Sequence, residues 1–239
     1  MYLTFFQFLN IMFKESLVKK YIDYFGVIGG KKSVVFTNND SGYETAVSLS
    51  EKGVKVNCII DIRKKNSSEL IKKVENLGIK IYWEHTIVGT DGYRRLKKIS
   101  IMSLSKDGSL VTGEKINIYC DCLAMSGGWT PAVHLFTQSG GKLKFREKDQ
   151  VFIPDTAQSD QISVGSCNGN FGLEGVIKNT ISDVNKFLNC EKNIYQTIDV
   201  NCSKQSDRRN IWLLPSDKIF GKTKPFVDFQ NDATEKDIK

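Results

Sequence analysis

The sequence predicts an α/β fold, a parallel sheet of β-α-β units followed by an antiparallel β-meander. Three observations carry this. Short apolar runs at 33–37, 54–60 and 79–83 alternate with segments of helical spacing. Two of those segments close on a glycine, Gly53 and Gly78, as helices ending in a left-handed residue do. From 84 to 119 the alternation gives way to strands separated by short polar turns.

The first helix is predicted over 14–25, with Leu17, Val18, Tyr21, Ile22 and Phe25 on one stripe and Gly26 ending it. The strand 33–37 runs into Asn38-Asn39-Asp40-Ser41-Gly42, a dense turn signal. A helix follows over 43–52, with Asp40 placed to cap it. The strand 54–60 ends at Asp61 and Arg63. Ser67 or Ser68 caps a helix over 69–77, and 79–83 is the third strand. Strands are expected at 86–88, 94–104, 110–111 and 115–119, punctuated by Gly92, Gly108 and Gly113. A buried strand over 122–125 enters the turn Ser126-Gly127-Gly128-Trp129-Thr130-Pro131. A short helix at 132–138 and a hairpin from 143–145 and 151–152 follow. A strand over 162–166 then turns through Cys167–Gly172 into a helix over 173–188.

A β-α-β unit with this order usually binds a dinucleotide, through glycines that let backbone N–H groups and a helix N-terminus approach a pyrophosphate. Here the G-x-G-x-x-G fingerprint is replaced by T-N-N-D-S-G at 37–42. Asp40 would set a negative charge beside the phosphate position. The unit therefore reads as a structural Rossmann-like lobe more than as a nucleotide site. Asp61 and Arg63 stand where ribose or 2′-phosphate readers sit by spacing; the alternative is a pair of surface charges at a strand end.

Charge and cysteine usage narrow the function classes. The net charge is +7, but only six of the 34 basic residues are arginine and the lysines are spread along the chain. No nucleic-acid motif accompanies them, so no nucleic-acid partner is expected. The six cysteines include no C-x-x-C pair, and the two histidines, His85 and His134, complete no metal-ligand set. Reduced, mostly buried thiols are expected, with Cys120 and Cys122 on one face of a strand. Residues 1–13 are uncharged and Phe-rich. They are shorter than the ~20 residues that span a bilayer and lack the flanks of a secretory signal. No membrane partner is expected, and this segment reads as one that packs against other chain.

Five blocks carry a resemblance to a known family. They are K-Y-I-D-Y-F-G-V (20–27), V-V-F-T-N-N-D-S-G-Y (34–43), S-G-G-W-T-P-A-V-H-L-F-T-Q-S-G-G-K (126–142), V-G-S-C-N-G-N-F-G-L (164–173) and F-V-D-F-Q-N-D-A-T (226–234). In this order they resemble the alpha subunit of heterotetrameric sarcosine oxidase. The resemblance implies a FAD/NAD(P)-binding fold of the two-dinucleotide-domain flavoprotein type with its first lobe truncated. Residues 1–30 would be a helix and a remnant of the first lobe, 31–125 the second Rossmann-like lobe and 126–189 the return to the first lobe. Residues 190–225 would be a linker, and 226–239 the start of a small helical domain.

It further implies a cytoplasmic complex with beta, gamma and delta subunits. That complex oxidises sarcosine to glycine, passes the one-carbon unit to tetrahydrofolate and releases hydrogen peroxide. FAD would lie on the beta subunit, FMN between alpha and beta, and NAD on alpha. In this chain the family pattern puts the cofactor-binding candidates at Gly165, Ser166, Asn168, Gly169, Phe171, Gly172 and Leu173. No catalytic residue and no metal ligand is expected, and His134 reads as a packed or interface histidine. Two alternatives stay open: a non-catalytic truncated fragment, or a subunit of a related amine or amino-acid oxidase or dehydrogenase.

Overall fold

The computed structural model describes residues 12–189, 208–211, 214–215, 226–228 and 233–234. It divides into two compact units, Met1–Gly128 with Ser206–Lys239, and Trp129–Gln205.

In the first unit the elements run β1 (Met12–Lys14), α1 (Glu15–Phe25), β2 (Lys32–Thr37), α2 (Ser41–Glu51), β3 (Lys55–Asp61), α3 (Glu69–Asn76) and β4 (Lys80–Trp83). The meander follows as β5 (His85–Asp91), β6 (Lys98–Leu104) and β7 (Val111–Tyr119), and β8 (Cys122–Met125) returns to the first sheet. That sheet has the order β1-β8-β2-β3-β4, and every pair in it is parallel. The meander is antiparallel, β5-β6-β7. The predicted α/β fold with its parallel sheet and antiparallel meander is thus present.

Strand periodicity explains the layers. On β2, Val34 and Phe36 face the meander and Val35 faces the helices; on β8, Leu123 and Met125 face the meander and Ala124 the helices. Both faces are covered, so these strands read as unbroken apolar runs. On β3 the pairing with β2 slips by one at Asn57, between Val56 and Cys58. This bulge switches the face, and Val56 and Ile59 join the helical layer while Cys58 and Ile60 join the meander layer. Local signals set the helix ends. Ser68 Oγ accepts from the Ile71 N–H, and Gly26, Gly53 and Gly78 take positive φ behind α1, α2 and α3.

Several expectations are corrected here. Val111–Tyr119 form one strand rather than the two expected: Gly113 (φ 75°) lies within β7, where the pairing with β6 shifts between Ile101 and Ser103. A backbone irregularity absorbs the glycine without ending the strand. Arg94 (φ 60°) lies in a turn, so β6 starts only at Lys98. Cys120 lies between β7 and β8, so Cys120 and Cys122 do not share a strand. Residues 12–25 pair and pack with the 31–125 sheet and its helices, because β1 extends the sheet beside β8 and Val18 and Ile22 join the helical core. Of the expected linker, Ile211 and Leu214 pack on the meander-side core, and Arg209 donates to the Ile62 and Lys106 carbonyls.

The second unit holds α4 (His134–Gln138), the hairpin β9 (Lys142–Arg146) and β10 (Val151–Thr156), a 3-10 turn at Gly165–Asn168, and α5 (Leu173–Phe187). The strand expected over 162–166 is absent among the described residues. Val164 has extended dihedrals, but no ladder partner is paired with it, and Gly165 (φ 62°) turns the chain at once. Finally, β11 (Phe226–Asp228) pairs with β12 (Ala233–Thr234). The Phe-rich segment 1–11 lies outside the described residues.

Candidate functional sites at two turns

The first candidate turn joins β2 to α2 at the carboxyl end of the sheet. Here the strand order reverses, between β2 and β8, which is where an open α/β sheet presents a ligand crevice. The turn is filled by its own side chains. The Asn39 N–H donates to Thr37 Oγ1 at 3.1 Å, and the Ser41 N–H donates to Asn39 Oδ1 at 2.9 Å. Asn39 Nδ2 donates to Asn38 Oδ1 and to Ser126 Oγ, both at 2.8 Å. Asn38 Nδ2 donates in turn to the Gly127 and Arg209 carbonyls. Asn39, not Asp40, thus engages the start of α2; the Asp40 side chain makes no cap bond.

Asp40 is turned to a different task. Its Oδ1 accepts from Arg63 Nη1 at 2.8 Å, and Arg63 also grips Asp61 through Nη2 (2.8 Å) and Nε. Tyr43 Oη donates to Asp61 Oδ2 at 2.8 Å and its ring stacks on Trp83. All four residues are buried, Asp61 completely. Burial works against the Arg63 cation, but hydrogen bonds and charge from Asp61 and then Asp40 outweigh it and raise its pKa. Tyr43 is held neutral, its pKa raised by burial and by the Asp61 carboxylate. Asp61 and Arg63 are therefore neither ribose readers nor surface charges. Sequence spacing located them but could not show that Asp40 reaches them.

The fold type implies a dinucleotide at this turn, and the residues do not fit one. The N–H groups of Asn39 and Ser41 are already used. The room that a glycine makes is also taken: a Cβ at Gly42 would lie 2.6 Å from Thr37 Cβ. Gly42 thus allows α2 to pack against β2 and leaves no cradle for a phosphate.

Beside this turn lies Glu15, the first residue of α1, a feature no sequence pattern flagged. Its side chain is 4% exposed. Burial raises its carboxyl pKa, a hydrogen bond from Ser41 opposes that, and nearby Glu44 adds to it.

The second turn belongs to the second unit and gathers all seven predicted cofactor residues. Gly165, Ser166 and Asn168 form the 3-10 turn, Gly169 (φ 72°) closes it, and Gly172 (φ 91°) precedes Leu173, the first residue of α5. Gly165 and Gly169 are buried; Asn168, Phe171 and Gly172 are half-buried; Ser166 and Leu173 are exposed. The glycines divide by role. A Cβ at Gly169 would meet Arg146 Nη2 at 2.7 Å and Ile153 at 2.8 Å, and Arg146 Nη2 donates to the Gly169 carbonyl at 2.6 Å. Gly169 is thus a packing glycine. Around Gly172 and Gly175, instead, no atom of the described residues lies within 4 Å of an added Cβ. Among the described residues no side-chain cap covers the start of α5. Its first-turn N–H groups point out of the helix end and the helix dipole favours an anion there. The acidic residue in that turn, Glu174, is paired with Lys178 at 2.7 Å. This end fits a phosphate as the first turn does not.

His134 begins α4 and is exposed, so it is not packed within its own unit. Cys58, Cys120 and Cys122 are buried free thiols and Cys167 is half-buried. Burial, then a neighbouring thiol, pushes Cys58 and Cys120 up to about 12; burial pushes Cys122 up to about 11. Among the described residues no group of three or more His, Cys, Asp or Glu is placed to hold a metal. No helix among them is long and apolar enough to cross a membrane.

No protein-family profile matches the chain. Curated proteins do, over nearly its whole length. The sarcosine oxidase subunit alpha of Corynebacterium sp. (strain P-1) is 29% identical over 228 residues, which is 92% of this chain and 23% of that protein. The subunit of the same name from Rhizobium meliloti (strain 1021) is 28% identical over 226 residues, 92% of this chain and 21% of that protein. The chain is similar to sarcosine oxidase alpha subunits. It spans less than a quarter of the length of these relatives. Among solved structures, thioredoxin reductase of Lactococcus lactis in its FR conformation superposes with a TM-score of 0.51 at 11% identity. The match covers 77% of this chain and 61% of that one, and it bears on the fold alone. The expected flavoprotein-type fold and the resemblance to the alpha subunit both stand.

Proposed function

We propose that this chain serves as dinucleotide-binding scaffold in a sarcosine-oxidase-type oxidoreductase, with the redox step carried by a partner. The similarity over 92% of the chain to sarcosine oxidase alpha subunits is the observation that carries the reading. In this reading the complex is cytoplasmic and contains beta, gamma and delta subunits. It oxidises sarcosine to glycine, passes the one-carbon unit to tetrahydrofolate and releases hydrogen peroxide. FAD belongs to the beta subunit, FMN to the alpha–beta boundary and NAD to this chain.

The residues Gly165, Ser166, Asn168, Gly169, Phe171, Gly172 and Leu173 would hold the NAD. The open approach at Gly172 and Gly175 admits a pyrophosphate to the first turn of α5. Arg146 keeps the preceding turn in place through the Gly169 carbonyl. Bound NAD supplies a nicotinamide ring that can accept a hydride. The redox chemistry is assigned to the partner.

The test is to co-express the full chain with a flavoprotein beta subunit and measure NAD in the purified complex. The informative variant is Gly175→Asp. A carboxylate in a helix's first turn favours the helix but repels a pyrophosphate. Loss of about tenfold or more in NAD affinity with an unchanged melting temperature is expected. Equal NAD content in both proteins, or no association with the beta subunit, refutes the reading.

A further inference from the structure

We propose that the T-N-N-D-S-G turn anchors the two places where the chain passes between its units, with Asn38 as the staple that holds both. The chain leaves the first unit after Gly128 and rejoins it at Ser206. Asn38 is 89 residues from Gly127 and 171 from Arg209, and its Nδ2 donates to both carbonyls, at 3.2 and 3.1 Å. A primary amide has two N–H donors. Here one goes to the outgoing segment and one to the returning segment. Asn38 is 1% exposed, and its Oδ1 accepts from Asn39 Nδ2 at 2.8 Å.

The neighbours serve the same end. On the outgoing side, Asn39 Nδ2 donates to Ser126 Oγ, and the Ser126 N–H donates to the Phe36 carbonyl at 2.7 Å. On the returning side, Arg209 donates to the Ile62 and Lys106 carbonyls at 2.7 and 3.1 Å, and Ile211 and Leu214 pack on the meander-side core. Asn38 reaches both segments, so loosening one frees the amide that holds the other. An aspartate at this position would turn acceptors toward two carbonyls, and an alanine would offer them nothing; the two acceptors call for an amide. The turn that serves a ligand in a nucleotide-binding lobe thus serves the chain itself. These contacts all lie within the first unit, so the inference holds whether or not the second unit binds a dinucleotide.

The experiment follows native-state hydrogen exchange of the Ser126 amide by NMR in the full chain, measured against the amides of β3. Asn38→Ala removes the staple, and Asn38→Ser, which keeps a hydroxyl in the turn, replaces it should the alanine variant not fold. Arg209→Ala loosens the returning segment alone. Losing the staple should speed Ser126 exchange about three- to tenfold relative to β3. Arg209→Ala should also speed it while Asn38 is present, and should add nothing further in the double variant. Ser126 exchange that keeps its wild-type rate relative to β3 in either single variant overturns the proposal. So does an effect of Arg209→Ala that is as large without Asn38 as with it.

Discussion

Replacing Arg63 with methionine probes the central claim about the first turn. The side chain is 3% exposed, and the two carboxylates it serves are 0% and 5% exposed. Arg63→Met keeps most of the volume and removes the guanidinium that Asp40 and Asp61 share. Removing one partner of a buried ion pair typically costs about 3–5 kcal/mol, because the other charge is left uncompensated away from water. At roughly 2–4 °C per kcal/mol for a chain of this size, the melting temperature should fall by about 6–20 °C. Urea unfolding followed by tryptophan fluorescence reads the same change through Trp83, which stacks on Tyr43. The triple variant Arg63→Met, Asp40→Asn, Asp61→Asn leaves no buried charge in the cluster and should recover most of the loss. A single variant within about 1 kcal/mol of wild type would refute the reasoning, as would a triple variant no more stable than the single one.

Three further outcomes are expected. Gly42→Ala should destabilise by about 1–3 kcal/mol in urea unfolding, since its Cβ would lie 2.6 Å from the buried Thr37 Cβ; an unchanged midpoint would show that α2 can retreat freely. Glu15 has a folded-state pKa above its unfolded value, so its neutral form favours the fold at low pH and that stability is lost as pH rises through the folded pKa. Glu15→Gln should therefore melt higher than wild type at pH 8 and alike near pH 4; a difference that grows toward low pH reverses the sign and rejects the assignment. Among the four described cysteines, Cys167 should alkylate in the native protein, whereas Cys58, Cys120 and Cys122, pushed up to about 11–12 by burial, should label only on unfolding. Mass mapping after brief iodoacetamide treatment checks this, and native labelling of Cys58 would contradict the closed core.

Much of the site geography was legible in residue order, and the misses share a cause. The glycines behind α1, α2 and α3 and the cap at Ser68 are local devices, readable from a few neighbours. The predicted strand at 162–166 had the right composition, but a strand also needs a partner to pair with, which composition does not reveal. Gly113 looked like a turn and lies inside β7, because pairing with β6 carries the chain past it. At the candidate sites, the cluster Gly165–Leu173 was legible as a turn before a helix. That Gly169 packs on Arg146 while Gly172 and Gly175 stay open was not legible, since the neighbours come from distant sequence.

The sequence by itself determined the α/β order, the helix ends, the turn positions and the resemblance to sarcosine oxidase alpha subunits. All of these rest on short-range pattern or residue identity. Only the tertiary structure decided that T-N-N-D-S-G forms a sealed polar plug. Asp40 and Arg63 are 23 residues apart, and Asn39 and Ser126 are 87 apart. A charge placed beside a helix N-terminus can cap it, repel a ligand or neutralise a partner, and spacing alone does not choose among these. The choice follows from which opposite charge the fold buries within 3 Å of it, and here that charge is Arg63.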